Sequence, residues 1–219
     1  MKKIGVIGCG NIAETYFRSK EYFNNIDFIC CADINESVAK KCADQHSIKY
    51  QTVDELLNND DVEIVLNITI PQAHYNVTKK TLLSGKHSYS EKPLSITLDQ
   101  GKELVDLAKK NKLYLGNAPD TFLGGGGQLA RKFIDEGKIG NVILGQFIFG
   151  FPGVETFHHN PDSWYQKGGG PVMDMGPYFF TMLVHLLGPV KNVRGRGIKI
   201  KDHRTIETGP RKNETINVE

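Results

Sequence analysis

A short apolar strand that runs directly into a glycine-rich turn restricts the fold of this chain more than any other feature. The strand covers residues 3–8 and is followed by Cys-Gly-Asn-Ile-Ala, so that the glycines fall in a G-x-G-x-x-A pattern. In this pattern Gly8 permits a tight turn, Gly10 lets the backbone approach a pyrophosphate, and Ala13 leaves room for close packing of strand and helix. The stretch therefore predicts the first turn of a dinucleotide-binding βαβ unit.

A helix is predicted to follow the turn, over about residues 13–22. The first N–H groups of a helix have no partner within it, and the helix dipole favours negative charge at this end. Phosphate oxygens therefore suit this position. We expect Asn11 and Ile12 to join the two glycines in the cofactor site.

A carboxylate ends the second predicted strand, Asp27–Asp33, 25 residues after the first glycine of the motif. An acid near this distance accepts hydrogen bonds from the hydroxyls of the adenosine ribose. Ile34 and Asn35 come next and cannot neutralise a 2′-phosphate, which favours NAD over NADP as the cofactor. The alternative is that Asp33 caps the helix predicted over Glu36–Gln45.

Strands and helices continue to alternate up to about residue 118. Thr52 and Glu55 form a capping box at the start of one of these helices. The further predicted elements are a strand at Glu63–Ile70, a helix at Gln72–Ser84, a strand leading to Lys92, a helix at Leu98–Lys110 and a strand at Tyr114–Asn117. Such alternation is typical of an α/β fold with a doubly wound parallel sheet, and we assign residues 1–119 to a Rossmann domain.

Polar residues follow the strand that ends in Thr69-Ile70-Pro71, at the sheet edge where open α/β folds bind ligands. We expect Thr69 and Pro71 to line the cofactor cleft. His74 lies close behind them in the sequence. We expect it to form hydrogen bonds at the start of the helix, on the cofactor side, rather than to act as a catalyst.

The next strand ends in Glu91, Lys92 and Pro93. Proline pushes the residue before it toward an extended conformation, so that the Lys92 side chain points in one direction. An ammonium group there can donate to a substrate hydroxyl, and it can lose a proton when it is partly desolvated. We place Glu91 and Lys92 at the cofactor, and Lys92 also at the substrate. Taken alone, these residues favour a solvated surface lysine, and the rest of the chain decides for the functional interpretation.

The chain changes character after this domain, and we assign residues 120–219 to a second α+β domain for substrate binding and oligomerisation. Its sheet is expected to be mainly antiparallel. Four glycines, Gly124–Gly127, precede a helix predicted over Gln128–Glu136. A strand of the second sheet is predicted over Val142–Phe151.

Two stretches of the second domain are candidates for the substrate site. Trp164 and Tyr165 lie in a polar and aromatic loop, the composition expected for a pocket that stacks on a polyol and hydrogen-bonds it. A helix predicted further on carries Asp174 and Tyr178, four residues apart and therefore on one face, with Pro177 expected to kink it. The alternatives are helix capping for Asp174 and a core tyrosine with a satisfied hydroxyl for Tyr178.

Composition and charge exclude several other classes of function. The net charge is +2, with 24% charged and 39% hydrophobic residues, and no long basic block indicates nucleic-acid binding. No apolar run reaches membrane-spanning length, and no signal peptide fits the N-terminus. The cysteines Cys9, Cys30, Cys31 and Cys42 lack metal-ligand spacing, so we expect reduced thiols, no metal site and a cytoplasmic location. Cys30 and Cys31 are expected on opposite faces of a strand.

Several of these motifs occur together, and in register, in one known family. The motifs are the glycine pattern, Asp33, Thr69-Ile70-Pro71 with His74, Gly85-Lys86-His87 and Glu91-Lys92-Pro93. Together they resemble the Gfo/Idh/MocA family, which contains glucose–fructose oxidoreductase and inositol dehydrogenase. The resemblance implies an NAD(P)-dependent oxidoreductase that acts on a sugar, a polyol or a related hydroxy compound.

The resemblance also implies a set of catalytic residues. In that family an Asp-x-x-x-His motif supplies the acid/base group on the substrate side. Asp174 matches this motif, and Tyr178 stands at the position of the histidine, as it does in glucose–fructose oxidoreductase. The resemblance therefore implies Lys92, Tyr178 and Asp174 as the catalytic residues, with Tyr178 as the proton donor and acceptor.

Members of the family continue beyond the point where this chain stops, in what looks like a strand. We therefore expect a C-terminally truncated second domain whose open face is covered in a homo-oligomer, a dimer or tetramer. Two functions stay open. The first is an oxidoreductase, and the second is a dinucleotide-binding module without turnover, such as a sensor or a remnant.

Overall fold

Six parallel strands build one sheet in the N-terminal part of the computed structural model, which describes residues 1–219. They are β1 (Lys2–Ile7), β2 (Ile26–Ala32), β3 (Lys49–Tyr50), β4 (Ile64–Asn67), β5 (His87–Glu91) and β6 (Leu115–Ala118). Their order is β3-β2-β1-β4-β5-β6. The order reverses between β1 and β4, and open α/β sheets bind ligands outside the carboxyl ends of the strands at such a point. The predicted α/β class with a doubly wound parallel sheet is confirmed.

Five α-helices join these strands, and local capping explains where several of them begin. They are α1 (Ala13–Arg18), α2 (Glu36–His46), α3 (Val53–Leu57), α4 (Pro71–Leu83) and α5 (Leu98–Lys110). The predicted capping box of Thr52 and Glu55 starts α3, and the Thr97 side chain caps α5. Helix α1 is shorter than predicted, because its last turn tightens into a 3-10 helix at Ser19–Glu21.

Apolar clusters cover both faces of this sheet. Neighbouring residues of a strand point to opposite faces, so the fully buried Cys30 and Cys31 belong to different clusters, as predicted. Phe17 of α1 and Ala39 of α2 pack on the Cys31 face, and Leu56 of α3 packs on the Cys30 face. Complete burial of a leucine such as Leu56 stabilises the fold by about 1.5–3 kcal/mol.

The chain divides into two compact units, Met1–Ala118 and Pro119–Glu219. The second unit contains α6 (Gly125–Asp135), α7 (Asp162–Tyr165), α8 (Pro171–Asp174), α9 (Gly176–Leu187), β7 (His203–Thr205) and β8 (Thr215–Asn217). Strands β7 and β8 form a small antiparallel sheet. None of the helices has both the length and the apolar character needed to cross a membrane.

Two predictions for the second unit are wrong. Residues 142–151 form no strand, and side chains such as Ile143, which is 97% exposed, have no sheet face to cover. A strand needs a neighbouring backbone to pair with, and no such pairing is formed here. Helix α6 begins at Gly125 rather than at Gln128, so the last three of the four glycines belong to the helix. A Cβ on Gly127 would lie 2.6 Å from the Phe122 carbonyl oxygen, so this glycine allows a close approach.

Candidate functional site

The turn after β1 contains two glycines with different surroundings. Gly8 has a φ of 103°, and a Cβ there would lie 2.7 Å from the Ile68 carbonyl oxygen. Any other residue would strain the backbone and push apart the ends of β1 and β4. Gly10 has no atom within 4 Å of the position of a Cβ, and Asn11 and Ile12 are exposed beside it. Gly8 thus serves the fold, whereas Gly10 leaves room for a ligand against the backbone.

The carboxylate of Asp33, directly after β2, is held from two sides. Its Oδ2 accepts a hydrogen bond from the Cys9 N–H and its Oδ1 accepts one from the Asn35 N–H, both at 2.8 Å. These bonds fix the half-buried carboxylate beside the glycine-rich turn. The alternative of a helix-capping Asp33 is wrong, because the Asn35 side chain caps α2 by accepting from the N–H groups of Ser37 and Val38.

Asn67, buried at the end of β4, organises the turn that follows. Its Oδ1 accepts from the Thr69 hydroxyl at 2.7 Å, and its Nδ2 donates to the His74 carbonyl and the Thr78 hydroxyl, both at 3.0 Å. Pro71 is the first residue of α4, where its fixed φ suits the helix. Asn67 was not among the predicted site residues. The available signal was a polar residue at the end of an otherwise apolar strand.

His74 joins the ends of two neighbouring strands. The residue is only 1% exposed. Its Nδ1 lies 2.6 Å from the Pro93 carbonyl oxygen and its Nε2 lies 2.9 Å from the Thr69 carbonyl oxygen. The predicted hydrogen-bonding role at the start of the helix is confirmed, whereas contact with a cofactor stays a prediction. The turn after β4 is thereby tied to the turn after β5.

The end of β5 is held by side chains from two other elements. Glu91 Oε1 accepts from the Tyr16 hydroxyl of α1, and Glu91 Oε2 accepts from the Lys92 N–H, both at 2.8 Å. The Asn117 amide donates to two successive carbonyl oxygens of β5, both at 3.0 Å. The Lys92 side chain is half-buried, and the peptide bond to Pro93 is cis. Sequence reasoning missed Tyr16 and Asn117, because only the tertiary fold brings them to this strand.

The predicted site residues of the first unit therefore lie along one edge of its sheet. The carboxyl ends of parallel strands share an edge, so the turns after β1, β2, β4 and β5 stand in one row. Hydrogen bonds fix the carboxylates of Asp33 and Glu91 in this row. An edge with open backbone at a glycine and an immobilised carboxylate can bind phosphate and ribose groups.

Tyr165 takes part in a buried polar network of the second unit. Its hydroxyl donates to the Glu155 carboxylate and accepts from the Val154 N–H at 3.2 Å. Glu155 is 3% exposed and also pairs with Arg204 at 2.9 Å. Burial, followed by the hydrogen bond to Glu155, raises the pKa of Tyr165. The neighbouring Trp164 ring lies 4.6 Å from the imidazole ring of His158, measured between the ring centroids. Substrate contact by either aromatic residue stays a prediction.

The single helix predicted through Asp174 and Tyr178 is in fact two helices. Helix α8 ends at Asp174, and α9 starts again at Gly176. Pro177 has no N–H and its ring would clash with a preceding carbonyl, so it stands in the first turn of α9 instead of kinking a longer helix. The two residues therefore do not share one helical face. Their catalytic roles stay a prediction.

Three cysteines that are far apart in the sequence meet behind the glycine-rich turn. The sulfur atoms of Cys9, Cys31 and Cys42 lie within 4.8 Å of one another, and all three residues are buried. They come from the turn after β1, from β2 and from α2, so their sequence spacing carries no signal of the cluster. All four cysteines of the chain are free.

Two family models match this chain, one for each unit. Residues 2–118 match the model described as an oxidoreductase family with an NAD-binding Rossmann fold, and residues 128–215 match the GFO/IDH/MocA C-terminal domain. The first match alone covers more than half of the chain.

Curated relatives and solved structures agree with these models. The chain is 28% identical over 169 residues to D-xylose dehydrogenase of Paenarthrobacter nicotinovorans, covering 74% of this chain and 44% of that one. It is 29% identical over 153 residues to inositol 2-dehydrogenase/D-chiro-inositol 3-dehydrogenase of Lactiplantibacillus plantarum, covering 65% and 42%. The chain thus spans less than half the length of these two relatives.

A solved structure of comparable identity extends the similarity to both units. Biliverdin reductase of Synechocystis sp. PCC 6803, in complex with biliverdin and NADP+, is 27% identical with a TM-score of 0.66, over 87% of this chain and 59% of that one. The matching models, the strand order and the motifs at the sheet edge lead to one conclusion. The chain belongs to the Gfo/Idh/MocA family of oxidoreductases.

Proposed function

We propose that this chain is an oxidoreductase that transfers a hydride between a nicotinamide dinucleotide and a carbinol or carbonyl group of a sugar, polyol or related hydroxy compound. The observation that carries the proposal is the row of turns at the sheet edge, with open backbone at Gly10 and a fixed carboxylate at Asp33. The names of the two curated relatives, a xylose and an inositol dehydrogenase, support the substrate class.

The residues at this edge fit a dinucleotide. A Cβ at Gly10 would fill space that is open to a pyrophosphate, next to the exposed Asn11 and Ile12. Each oxygen of the Asp33 carboxylate accepts one hydrogen bond from a backbone N–H group. Each oxygen therefore keeps a further lone pair that can accept a hydrogen bond from a ribose hydroxyl. The residues that would frame the rest of the cofactor are Thr69, Pro71, His74, Glu91 and Lys92.

The residues at this edge of the sheet favour binding of NAD over NADP. A 2′-phosphate at the adenosine ribose would face the negative charge of Asp33. The next residue, Ile34, is fully exposed and carries no compensating charge. We expect NADH to bind at least tenfold more tightly than NADPH. Combined replacement of Asp33→Ser and Ile34→Arg should reverse this preference in a fluorescence titration, and an unchanged preference would contradict the assignment.

The chain must orient the carbinol and move its proton, while a bound nicotinamide would accept or supply the hydride. In our proposal the Lys92 ammonium donates a hydrogen bond to the reacting oxygen, and the Tyr178 hydroxyl is the acid/base group. Asp174 accepts a hydrogen bond from a neighbouring substrate hydroxyl. Trp164 and Tyr165 offer aromatic surface for the carbon face of a sugar or polyol.

The cofactor site can be tested at Gly10. Gly10→Val should lower the affinity for NADH more than tenfold without loss of thermal stability, because the added side chain meets only the space proposed for the pyrophosphate. Gly126→Ala is the matched control, since its Cβ also meets no atom within 4 Å but lies in α6. Equal NADH affinity in Gly10→Val and wild type would remove the basis of the proposed cofactor site.

Turnover can be tested at the lysine. With a panel of aldoses and polyols, Lys92→Met should lower kcat at least a hundredfold and leave NADH affinity nearly unchanged, since proton handling contributes about 10²–10⁴-fold. Lys80→Met, which removes an exposed lysine of α4, should have no effect. Full activity in Lys92→Met would refute its role. Binding of NADH without turnover of any compound would instead favour a nucleotide-binding module.

Self-association is part of the proposal. Exposed apolar side chains of the second unit, such as Ile143 and Ile148, form a surface that a second copy of the chain would cover. Sedimentation velocity should show a dimer or tetramer, and Ile148→Lys should shift it toward the monomer. A wild-type monomer at micromolar concentration would contradict this part.

The cytoplasmic location also stays a prediction, which the four free cysteines support.

A further inference from the structure

We propose that Cys9, Cys31 and Cys42 form a binding site for one thiophilic metal ion of the Zn²⁺ class, directly behind the glycine-rich turn. The site lies on the core side of that turn, and its existence does not depend on the proposed reaction.

The spacing of the three sulfur atoms suits one metal ion. They lie within 4.8 Å of one another, and zinc–sulfur bonds of about 2.3 Å place three sulfurs around one ion roughly 4 Å apart. Only a small contraction of the cluster is therefore required. The three cysteines come from three separate segments, the turn after β1, β2 and α2.

The donor set selects the class of ion. Three thiols without a carboxylate or amide oxygen among them suit soft or borderline ions such as Zn²⁺ and Cu⁺, and they disfavour Mg²⁺ and Ca²⁺. Zinc also accepts a three-sulfur set with a fourth position left for water. A single Zn²⁺, or its spectroscopic substitute Cd²⁺, is the expected occupant.

The hydrogen bonds around the three sulfur atoms leave these atoms available to coordinate a metal ion. Their hydrogen bonds are weak ones, from Cys9 Sγ to the Ala32 carbonyl at 3.6 Å and from Cys31 Sγ to the Ala39 carbonyl at 3.4 Å. Cys31 is fully buried, whereas Cys9 and Cys42 keep 9% and 8% of their surface exposed.

Binding exchanges protons for the ion. Three metal–sulfur bonds form, three S–H bonds break, and the protons leave to solvent, so that Zn²⁺ with three thiolates has a net charge of −1 and no oxidation occurs. The cation supplies the positive charge that buried thiolates need.

The test is a titration of the reduced, metal-free full chain with Cd²⁺, followed by thiolate-to-metal charge-transfer absorption. Wild type should bind one Cd²⁺ per chain. Cys31→Ala and Cys42→Ala should each weaken binding at least a hundredfold. Cys30→Ala is the matched control, because Cys30 is the neighbour of Cys31 in β2 and equally buried but points to the opposite face of the sheet. This variant should bind like wild type.

X-ray absorption on the wild-type complex gives a second measurement that needs no variant. Three sulfur neighbours around the ion support the proposal, and fewer than three contradict it. Absence of charge-transfer absorption in wild type would overturn it, as would equal absorption in folded Cys31→Ala and Cys42→Ala, checked by far-UV circular dichroism. The three cysteines would then be ordinary small apolar core residues.

Discussion

The two units of this chain bury apolar surface to very different extents. In Met1–Ala118, apolar clusters cover both faces of the sheet and a third cluster joins α4 and α5. In Pro119–Glu219, the buried apolar side chains are Val154, Pro161, Ile206 and Ile216. Many large apolar side chains of the second unit are exposed instead, and the buried Glu155 carboxylate pairs with the partly exposed Arg204 of its small sheet.

The difference shows that an apolar segment forms a strand only where another strand is available for it to pair with. Residues 142–151 have the composition of a strand and remain unpaired. Strands β1 and β4 have similar composition and pair along their length. We therefore expect the stability of the first unit to depend on its core and that of the second unit to depend more on polar contacts. The only tryptophan, Trp164, reports on the second unit separately.

The largest effect is expected for a core truncation in the first unit. Leu104→Ala should lower the free energy of unfolding by about 2–5 kcal/mol, because Leu104 is fully buried between α4 and α5. Val193→Ala, at an 82% exposed position of the second unit, should change it by less than about 0.5 kcal/mol. Urea denaturation followed by far-UV circular dichroism measures both. Equal losses would abolish the contrast between the two units.

An intermediate effect is expected at the partly buried ion pair of Glu155 and Arg204 in the second unit. Glu155→Ala leaves Arg204 and the Tyr165 hydroxyl without their shared partner, and should destabilise the second unit by about 2 kcal/mol. Trp164 fluorescence during denaturation measures the change. Glu207→Ala, which removes a nearby exposed carboxylate, is the control and should unfold like wild type. No change in Glu155→Ala would show that polar contacts do not stabilise this unit.

The smallest effect is expected for a half-exposed ion pair. Arg211 contacts both carboxylate oxygens of Asp162, at 2.5 Å and 3.1 Å, and this hydrogen bonding lowers the pKa of Asp162. Arg211→Ala should cost less than about 1 kcal/mol at neutral pH, since solvent screens the pair. Lys212→Ala, at the next and exposed position, should cost nothing measurable.

The pH dependence of this pair sharpens the prediction. A carboxyl group with a lowered pKa in the folded state stabilises the fold above its ordinary pKa of about 3.9, and this contribution is lost as the pH falls through the folded-state pKa. The stability difference between wild type and Arg211→Ala should therefore be largest near pH 7 and should shrink below about pH 4. A difference that grows on acidification would contradict the assigned role of the pair.

Most of the first unit could be predicted because its signals are local. The predicted helix Leu98–Lys110 matches α5 at both of its ends, and the Thr97 side chain caps its start. The glycine pattern, Asp33 and the strand ends place most of the candidate site on one edge, because the carboxyl ends of parallel strands must share it. In the first unit, the residues within each helix or strand therefore also predict where that helix or strand begins and ends.

The features that could not be predicted depend on contacts between distant segments. Tyr16 reaches Glu91 across 75 positions of sequence, and the three-cysteine cluster joins three separate elements. The break between Asp174 and Tyr178 was visible in Pro177, but the sequence alone allowed a kink as well as a new start. Periodicity predicts which face of an element is apolar, and it contains no information on what will cover that face.

The double attachment of His74 has a consequence for anyone who recombines this protein with its relatives. One imidazole ring connects the turn at Thr69 with the turn at Pro93, so the two loops form a single exchangeable module. In a chimaera that imports only one of these loops, the imported carbonyl oxygen would not be positioned for its hydrogen bond with the His74 ring. Grafts of both turns together with their histidine should fold, whereas single-loop grafts should yield insoluble or heat-sensitive hybrids.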